Sequence, residues 1–166
     1  MKNLSFLTVA ATLLLSTMAA FSQPKVGATY GKWVFVCQAL AEGQTSRGLV
    51  QTVRSEVGKT VLGRVTVTHD SETAENHIVI ALPLGIALAQ PVVGQIDGAD
   101  PMPFPAYACW SSGCSFGRKL ETAEVDALKA GTELVVAFAF VRGVGKVVGF
   151  KTSLSGLTDV FTQTGW

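Results

Sequence analysis

The sequence is poor in groups that do chemistry. Only 15% of its 166 residues are Asp, Glu, Lys or Arg, and its two histidines, His69 and His77, stand in one polar stretch. A Ser-His-Asp triad or a histidine-rich metal centre has little material to draw on. No run of basic residues exists, which argues against nucleic acid as a partner and against an anionic membrane surface. Beyond the N-terminus no apolar segment reaches the ~20 residues of a membrane span without charge or proline. Short motifs fail on spacing. Gly143-Val144-Gly145 followed by Gly149 misplaces the third glycine of a dinucleotide fingerprint, and Gly58-Lys59-Thr60 has Val53 where a phosphate loop needs its first glycine. Ser153-Leu154-Ser155-Gly156 lacks the glycine two before the serine of a nucleophile elbow. These absences point away from an enzyme, and no cofactor is implied.

What is present begins with an export signal. Lys2 gives a positive start, Leu4 to Leu15 an apolar stretch, and Ser16, Thr17, Ala19, Ala20 and Ser22 a run of small residues. Cleavage is expected after Ser22, with Ala20 at −3, or near Ala19 or Ala20. An uncleaved membrane anchor is the alternative, and the stretch is short for one. The exported domain, 23–166, then carries 12 basic residues once Lys2 is removed from the 13, against 12 acidic ones. It is expected in the periplasm, at the outer membrane or secreted, as one soluble unit with its own core.

The longest apolar run of that domain, Asn76 to Asp97, cannot be one helix. Pro83, Gly85 and Pro91 interrupt it, and an interior proline costs roughly 3 kcal/mol. It reads as two strands joined at Leu82-Pro83-Leu84-Gly85, with the prolines at strand ends, bulges or an edge. Tyr30 to Cys37 is a strand with Trp33, Phe35 and Cys37 on one face. Leu49 to Arg54 and Val61 to Thr68 alternate as half-buried strands. Glu133 to Arg142 and Lys146 to Thr152 form a last pair around Gly143-Val144-Gly145. Ala39 to Ser46, Ser55 to Thr60 and His69 to Asn76 read as loops. Pro101, Pro103 and Pro105 exclude regular structure and favour an extended crossing over the surface or an edge. Leu120 to Gly131 is the one helix, with Thr122 able to cap it and Gly131 beyond its end. Short turn-linked strands with one small helix give an all-β class and a β-sandwich.

Cys109 and Cys114 flank Trp110-Ser111-Ser112-Gly113, and a tight turn there suits a disulfide in an oxidising compartment. A redox-active pair is the alternative, against the thioredoxin-like spacing of two. Cys37 is left over, either as a buried thiol or as an intermolecular bridge. His69 and His77, with Asp70 and Glu75, are weak candidates for a metal site, and with it for a metal-binding enzyme; otherwise the loop simply keeps a tip soluble. Met102, Phe104, Tyr107 and Trp110 are candidate contacts for a protein or cell-envelope partner, unless Phe104 and Tyr107 only close the sheet edge.

Several of these pieces together resemble the invasion-associated locus B family of exported bacterial proteins. They are Tyr30-Gly31-Lys32-Trp33 with Cys37, Leu82-Pro83-Leu84-Gly85-Ile86 leading to Ile96-Asp97, and Pro103-Phe104 before Cys109 and Gly113-Cys114. Leu128-Lys129-Ala130-Gly131 and Ser153-Leu154-Ser155-Gly156-Leu157 complete the set. The resemblance implies an immunoglobulin-like β-sandwich in the periplasm or at the outer membrane and a role in host-cell invasion, with no catalytic residues to carry over. The export signal, the neutral charge balance and the missing catalytic set point to a non-enzymatic module that binds a protein or envelope component. A structural or stress-related protein without a ligand is the other reading. The family usually has a further cysteine near Arg47 or Gly48; this chain has none, which leaves Cys37 without that partner.

Overall fold

The computed structural model describes residues 23–39, 45–57, 60–142 and 146–166. The expected signal peptide, 1–22, lies outside them, as do the turn centres expected at Gly58 and at Gly143-Val144-Gly145. In chain order the strands are β1 (Thr29–Tyr30), β2 (Trp33–Ala39), β3 (Thr45–Arg54), β4 (Val61–Asp70), β5 (Glu75–Leu82) and β6 (Val92–Ile96). There follow β7 (Met102–Phe104), β8 (Ala106–Trp110), β9 (Gly113–Leu120), the helix α1 (Thr122–Ala130), β10 (Glu133–Ala139), β11 (Val147–Ser153) and the helix α2 (Leu157–Thr164). They form two antiparallel sheets, β1-β2-β3-β4-β5-β9-β8 and β11-β10-β6-β7.

Period-two alternation sets which side chains meet. Phe35, Leu49, Val67 and Ile78 fall in one cross-strand row of the large sheet, and Val65 and Ile80 lie in the next. All are buried against Leu134, Val136 and Phe150 of the small sheet. Gly63 faces the same core, and a methyl group there would lie 2.4 Å from the Phe150 ring. The glycine thus leaves the space that the ring fills. One polar contact crosses the core: the Thr152 hydroxyl donates to Gln51 Oε1, both side chains being buried. Removing either partner alone should cost about 1–3 kcal/mol by leaving the other unpaired. The double replacement Gln51→Leu/Thr152→Val should cost less than the sum, and a double-mutant denaturation cycle measures the difference.

The central apolar run is two strands, but not a tight pair. β5 belongs to the large sheet and β6 to the small one, joined by residues 83–91. Pro83 and Pro91 do sit just outside strand ends, where no ladder N–H is needed. The expected irregular crossing at Pro101, Pro103 and Pro105 is corrected in its middle: Met102–Phe104 is an edge strand, paired with β6 through Gly94 to Val92. Pro103 is exposed there and Met102 and Phe104 point inward. β3 and β4 extend into the expected loops, so that 71–74 is the whole of the β4–β5 turn.

The described residues hold two short helices where the sequence suggests one. Glu121, rather than Thr122, caps α1, and its backbone N–H donates to Glu124 Oε2 at 2.9 Å. The unforeseen α2 buries Leu157, Val160 and Phe161. It is fixed by a clasp between two motifs far apart in sequence. Gly31 (φ 59°) and Gly156 (φ 96°) are back to back. A methyl group on Gly31 would lie 2.4 Å from the Ser155 carbonyl oxygen, and one on Gly156 would lie 2.4 Å from the Tyr30 backbone. Beside them Trp33 Nε1 donates to the Ser153 carbonyl at 2.8 Å, and the Tyr30 hydroxyl donates to Gln163 Oε1 at 2.7 Å.

Asp97 ties β6 to β10. Its carboxylate accepts from the Thr132 hydroxyl at 2.6 Å and from the Thr132 and Glu133 N–H groups at 2.8 and 2.9 Å. The hydroxyl first, then the two N–H groups, hold the carboxyl below its ordinary 3.8. A depressed folded value adds stability above the unfolded pKa and loses it as pH falls through the folded one. Wild type should therefore be more stable than Asp97→Asn near neutrality, and the gap should narrow in acid below pH 3.8, measured by denaturant melts at several pH values.

Candidate functional site

β8 lies at the edge of the large sheet, paired only with β9. Trp110 pairs with Gly113 and Cys109 with Cys114, so Ser111 and Ser112 alone make the turn. Gly113 has φ 142°, and a methyl group on it would meet the Leu82 carbonyl oxygen at 2.3 Å. Only glycine lets the turn lie this close to β5. The expected disulfide Cys109–Cys114 is present, with a Cα–Cα distance of 4.0 Å. It closes a very small loop, so it adds little by chain entropy and mainly fixes the shape of the hairpin.

The four candidate contact residues divide. Met102 and Phe104 are buried in the core, which removes them from any surface. Tyr107 is 81% exposed and Trp110 54%. The register shifts between Ala106 and Ala108, so Tyr107 stands at an irregularity with no direct partner on β9. The N–H and C=O groups on the outer side of β8 have no neighbouring strand among the described residues. Two large aromatic side chains therefore stand beside a row of free backbone donors and acceptors.

The histidines do not converge. His69 pairs with Asn76 across the hairpin and His77 with Thr68, so the pleat sends them to opposite faces. His69 Nδ1 lies 3.0 Å from Asn76 Oδ1, and its ring stacks on Trp166 with centroids 5.5 Å apart. His77 Nε2 lies 3.7 Å from Glu75 Oε2, and Glu75 is also held by Lys119 Nζ at 2.7 Å. Asp70 is used by its own turn: its Oδ1 accepts the Glu72 N–H at 2.8 Å, which holds the carboxyl below its ordinary value. One ion cannot take both histidines. Among the described residues no group of three or more His, Cys, Asp and Glu side chains is placed to hold a metal.

Cys37 shares its face with Trp33 and Phe35, as expected, yet it is exposed rather than buried. Trp166 packs on Phe35, with 6.0 Å between rings, while Cys37 stays exposed. Its direct cross-strand partner is Arg47. The resemblance implies a cysteine near Arg47 or Gly48, and of these two it is Arg47 that stands opposite Cys37. Arg47→Cys should form a second disulfide under oxidising conditions, adding about 2–3 kcal/mol, read by intact mass and by denaturation with and without reductant.

Sequence reasoning did not find Trp166 or α2 in their covering role. The spacing of Leu157, Val160 and Phe161 at i, i+3 and i+4 was the available signal.

The family model described as Invasion associated locus B (IalB) protein matches residues 33–165, which take in Trp33 and the Gly156 side of the clasp, the hairpin of β8 and β9, and α2. Among solved structures, the crystal structure of invasion associated protein b from Bartonella henselae is similar, with a TM-score of 0.72 and 20% sequence identity. The match covers 82% of this chain and 92% of that one, and at this identity it speaks for the fold. No curated protein matches. With the family model covering most of its length, the chain belongs to the invasion associated locus B (IalB) protein family.

Proposed function

We propose that this protein is a non-enzymatic binding module outside the cytoplasm, in the periplasm or against the outer membrane, and that β8 is its contact edge. The partner is a protein that adds an extended segment along β8, gaining main-chain hydrogen bonds there and side-chain contacts with Tyr107 and Trp110. The observation that carries this reading is the free strand edge with two exposed aromatic side chains, pinned by Cys109–Cys114. Support for the compartment comes from the pattern of residues 1–22 and from the disulfide. The immunoglobulin-like character that the family resemblance implies is part of the same reading.

The test is recovery of one defined protein from envelope extract by wild type, by Tyr107→Ala/Trp110→Ala, and by a Tyr30→Phe control. The paired aromatic replacement should lower recovery at least tenfold, given that truncating one central aromatic anchor commonly costs about 2 kcal/mol or more. Equal recovery by all three proteins would refute the assignment of β8.

A further inference from the structure

Nine large hydrophobic side chains are exposed among the described residues, and all but Val26 and Tyr107 gather at one end of the two sheets. Val61 pairs with Arg54 at the head of β4, and Arg54 and Val147 line one groove. Val147 pairs with the end of β10 at Ala139. Just beyond it the Val141 N–H donates to the Gly85 carbonyl at 2.8 Å, which brings the segment of Leu84 and Leu88 against that strand end. Pro83, Ser112 and Val61 line a second groove that closes the circle, with Trp110 beside the turn. Leu84, Leu88 and Val141 are all more than half exposed.

Charge is divided along the same axis. Arg54, Arg64, Arg142 and Lys146 are exposed at this end, with Glu56 the only carboxylate among the described residues there. None of these four bases has a carboxylate partner among the described residues. At the other end three bases are paired with carboxylates, Arg118 with Glu124 at 3.0 Å, Lys119 with Glu75 at 2.7 Å and Lys151 with Glu133 at 2.8 Å, while Arg47 donates to Gln23 Oε1 and Lys129 lies over the Phe161 ring. The remaining acids among the described residues are Asp70 and Glu72 at the β4–β5 turn, Asp97 and Asp100 after β6, Glu121 and Asp126 on α1 and its cap, and Asp159 on α2. A linear reading finds no basic run because these four residues come from separate strand ends. The fold assembles what the chain does not.

We infer that this end docks on an anionic lipid surface. Leu84, Leu88, Val141 and Trp110 enter the headgroup region while the four unpaired bases meet lipid phosphates. Projecting aliphatic tips with a tryptophan and a ring of bases fit a soft interface, where aromatic rings settle at headgroup depth and bases gain from negative surface potential. The acidic opposite end orients the molecule with this end toward the membrane. The inference goes beyond the β8 reading and stands without it, because the two share only Trp110, and the four bases and three aliphatic side chains lie off β8.

The test is co-sedimentation of the purified exported protein with vesicles of phosphatidylcholine alone or of equal parts phosphatidylcholine and phosphatidylglycerol. Binding should require phosphatidylglycerol and should weaken as salt is raised. Arg142→Glu/Lys146→Glu and, separately, Leu84→Ser/Leu88→Ser should each weaken it about tenfold or more, with the thermal midpoint unchanged. Lys25→Glu, on an exposed residue elsewhere, should bind as wild type does. No binding, equal binding to both vesicle types, or charge reversal without effect overturns the inference. So does an unaltered response to Leu84→Ser/Leu88→Ser in a folded variant. Because Tyr107 is intact in every one of these proteins, loss of vesicle binding and loss of a protein partner at β8 are separately readable.

Discussion

Trp33→Ala should lower unfolding stability by about 3–5 kcal/mol, the range for removing a large buried aromatic side chain. Trp33 is fully buried, and its Nε1–H bonds the Ser153 carbonyl at 2.8 Å. Truncation would leave a cavity between β2 and the end of β11, and a carbonyl without its donor. With a native margin of roughly 5–15 kcal/mol, much of the stability would go with one side chain. Urea denaturation measures it. Trp33→Phe separates the two causes, since the ring volume is partly kept and only the N–H is lost, and it should cost about 1–3 kcal/mol. A loss below about 1 kcal/mol for Trp33→Ala would show that the tryptophan does not hold β2 against β11.

Gly156→Val should be comparably damaging, at about 3–5 kcal/mol, for a different physical reason. Its φ of 96° is a conformation that L side chains resist, and a methyl group there would lie 2.4 Å from the Tyr30 backbone. Backbone cannot rotate aside as a side chain can, so β1 or α2 has to shift. Gly31→Val attacks the same clasp from the other side. The double variant should cost less than the sum of the singles, because one displaced contact relieves both. Denaturation of the three proteins reads this directly. Full additivity would mean that the two turns do not press on each other.

This clasp explains why two short motifs near the ends of the domain were visible in the sequence without their purpose being so. Gly31 and Gly156 could be seen as turn residues, but their contact spans more than a hundred residues of chain and leaves no local pattern. Strand existence was legible because alternation of side chains along Leu49–Arg54 and Val61–Thr68 is a local property. Assignment of strands to sheets was not. β5 and β6 share one apolar run yet part into different layers, and nothing between Leu82 and Val92 announces the crossing. The helix α2 was missed because eight residues starting after a glycine, with threonines among them, have weak intrinsic preference and form by burying Leu157, Val160 and Phe161.

The candidate site was legible in part for the same reason. Cys109 and Cys114 are near neighbours in sequence, so a hairpin bond followed from spacing and compartment. Which of Met102, Phe104, Tyr107 and Trp110 reach the surface depended on β7 and β8 lying on different sheets, and that is a tertiary fact. His69 and His77 looked like partners until the pleat placed Thr68 and Asn76 opposite them. One residue of register decides whether two side chains share a face.

The most direct test of the central claim is site-specific photo-crosslinking in living cells, with a photoreactive side chain at position 107, 110 or, as a control, 26. All three positions are exposed. The account predicts one discrete protein adduct from positions 107 and 110 and none from 26. Adducts at all three positions alike, or none at 107 and 110, would contradict a contact edge at β8.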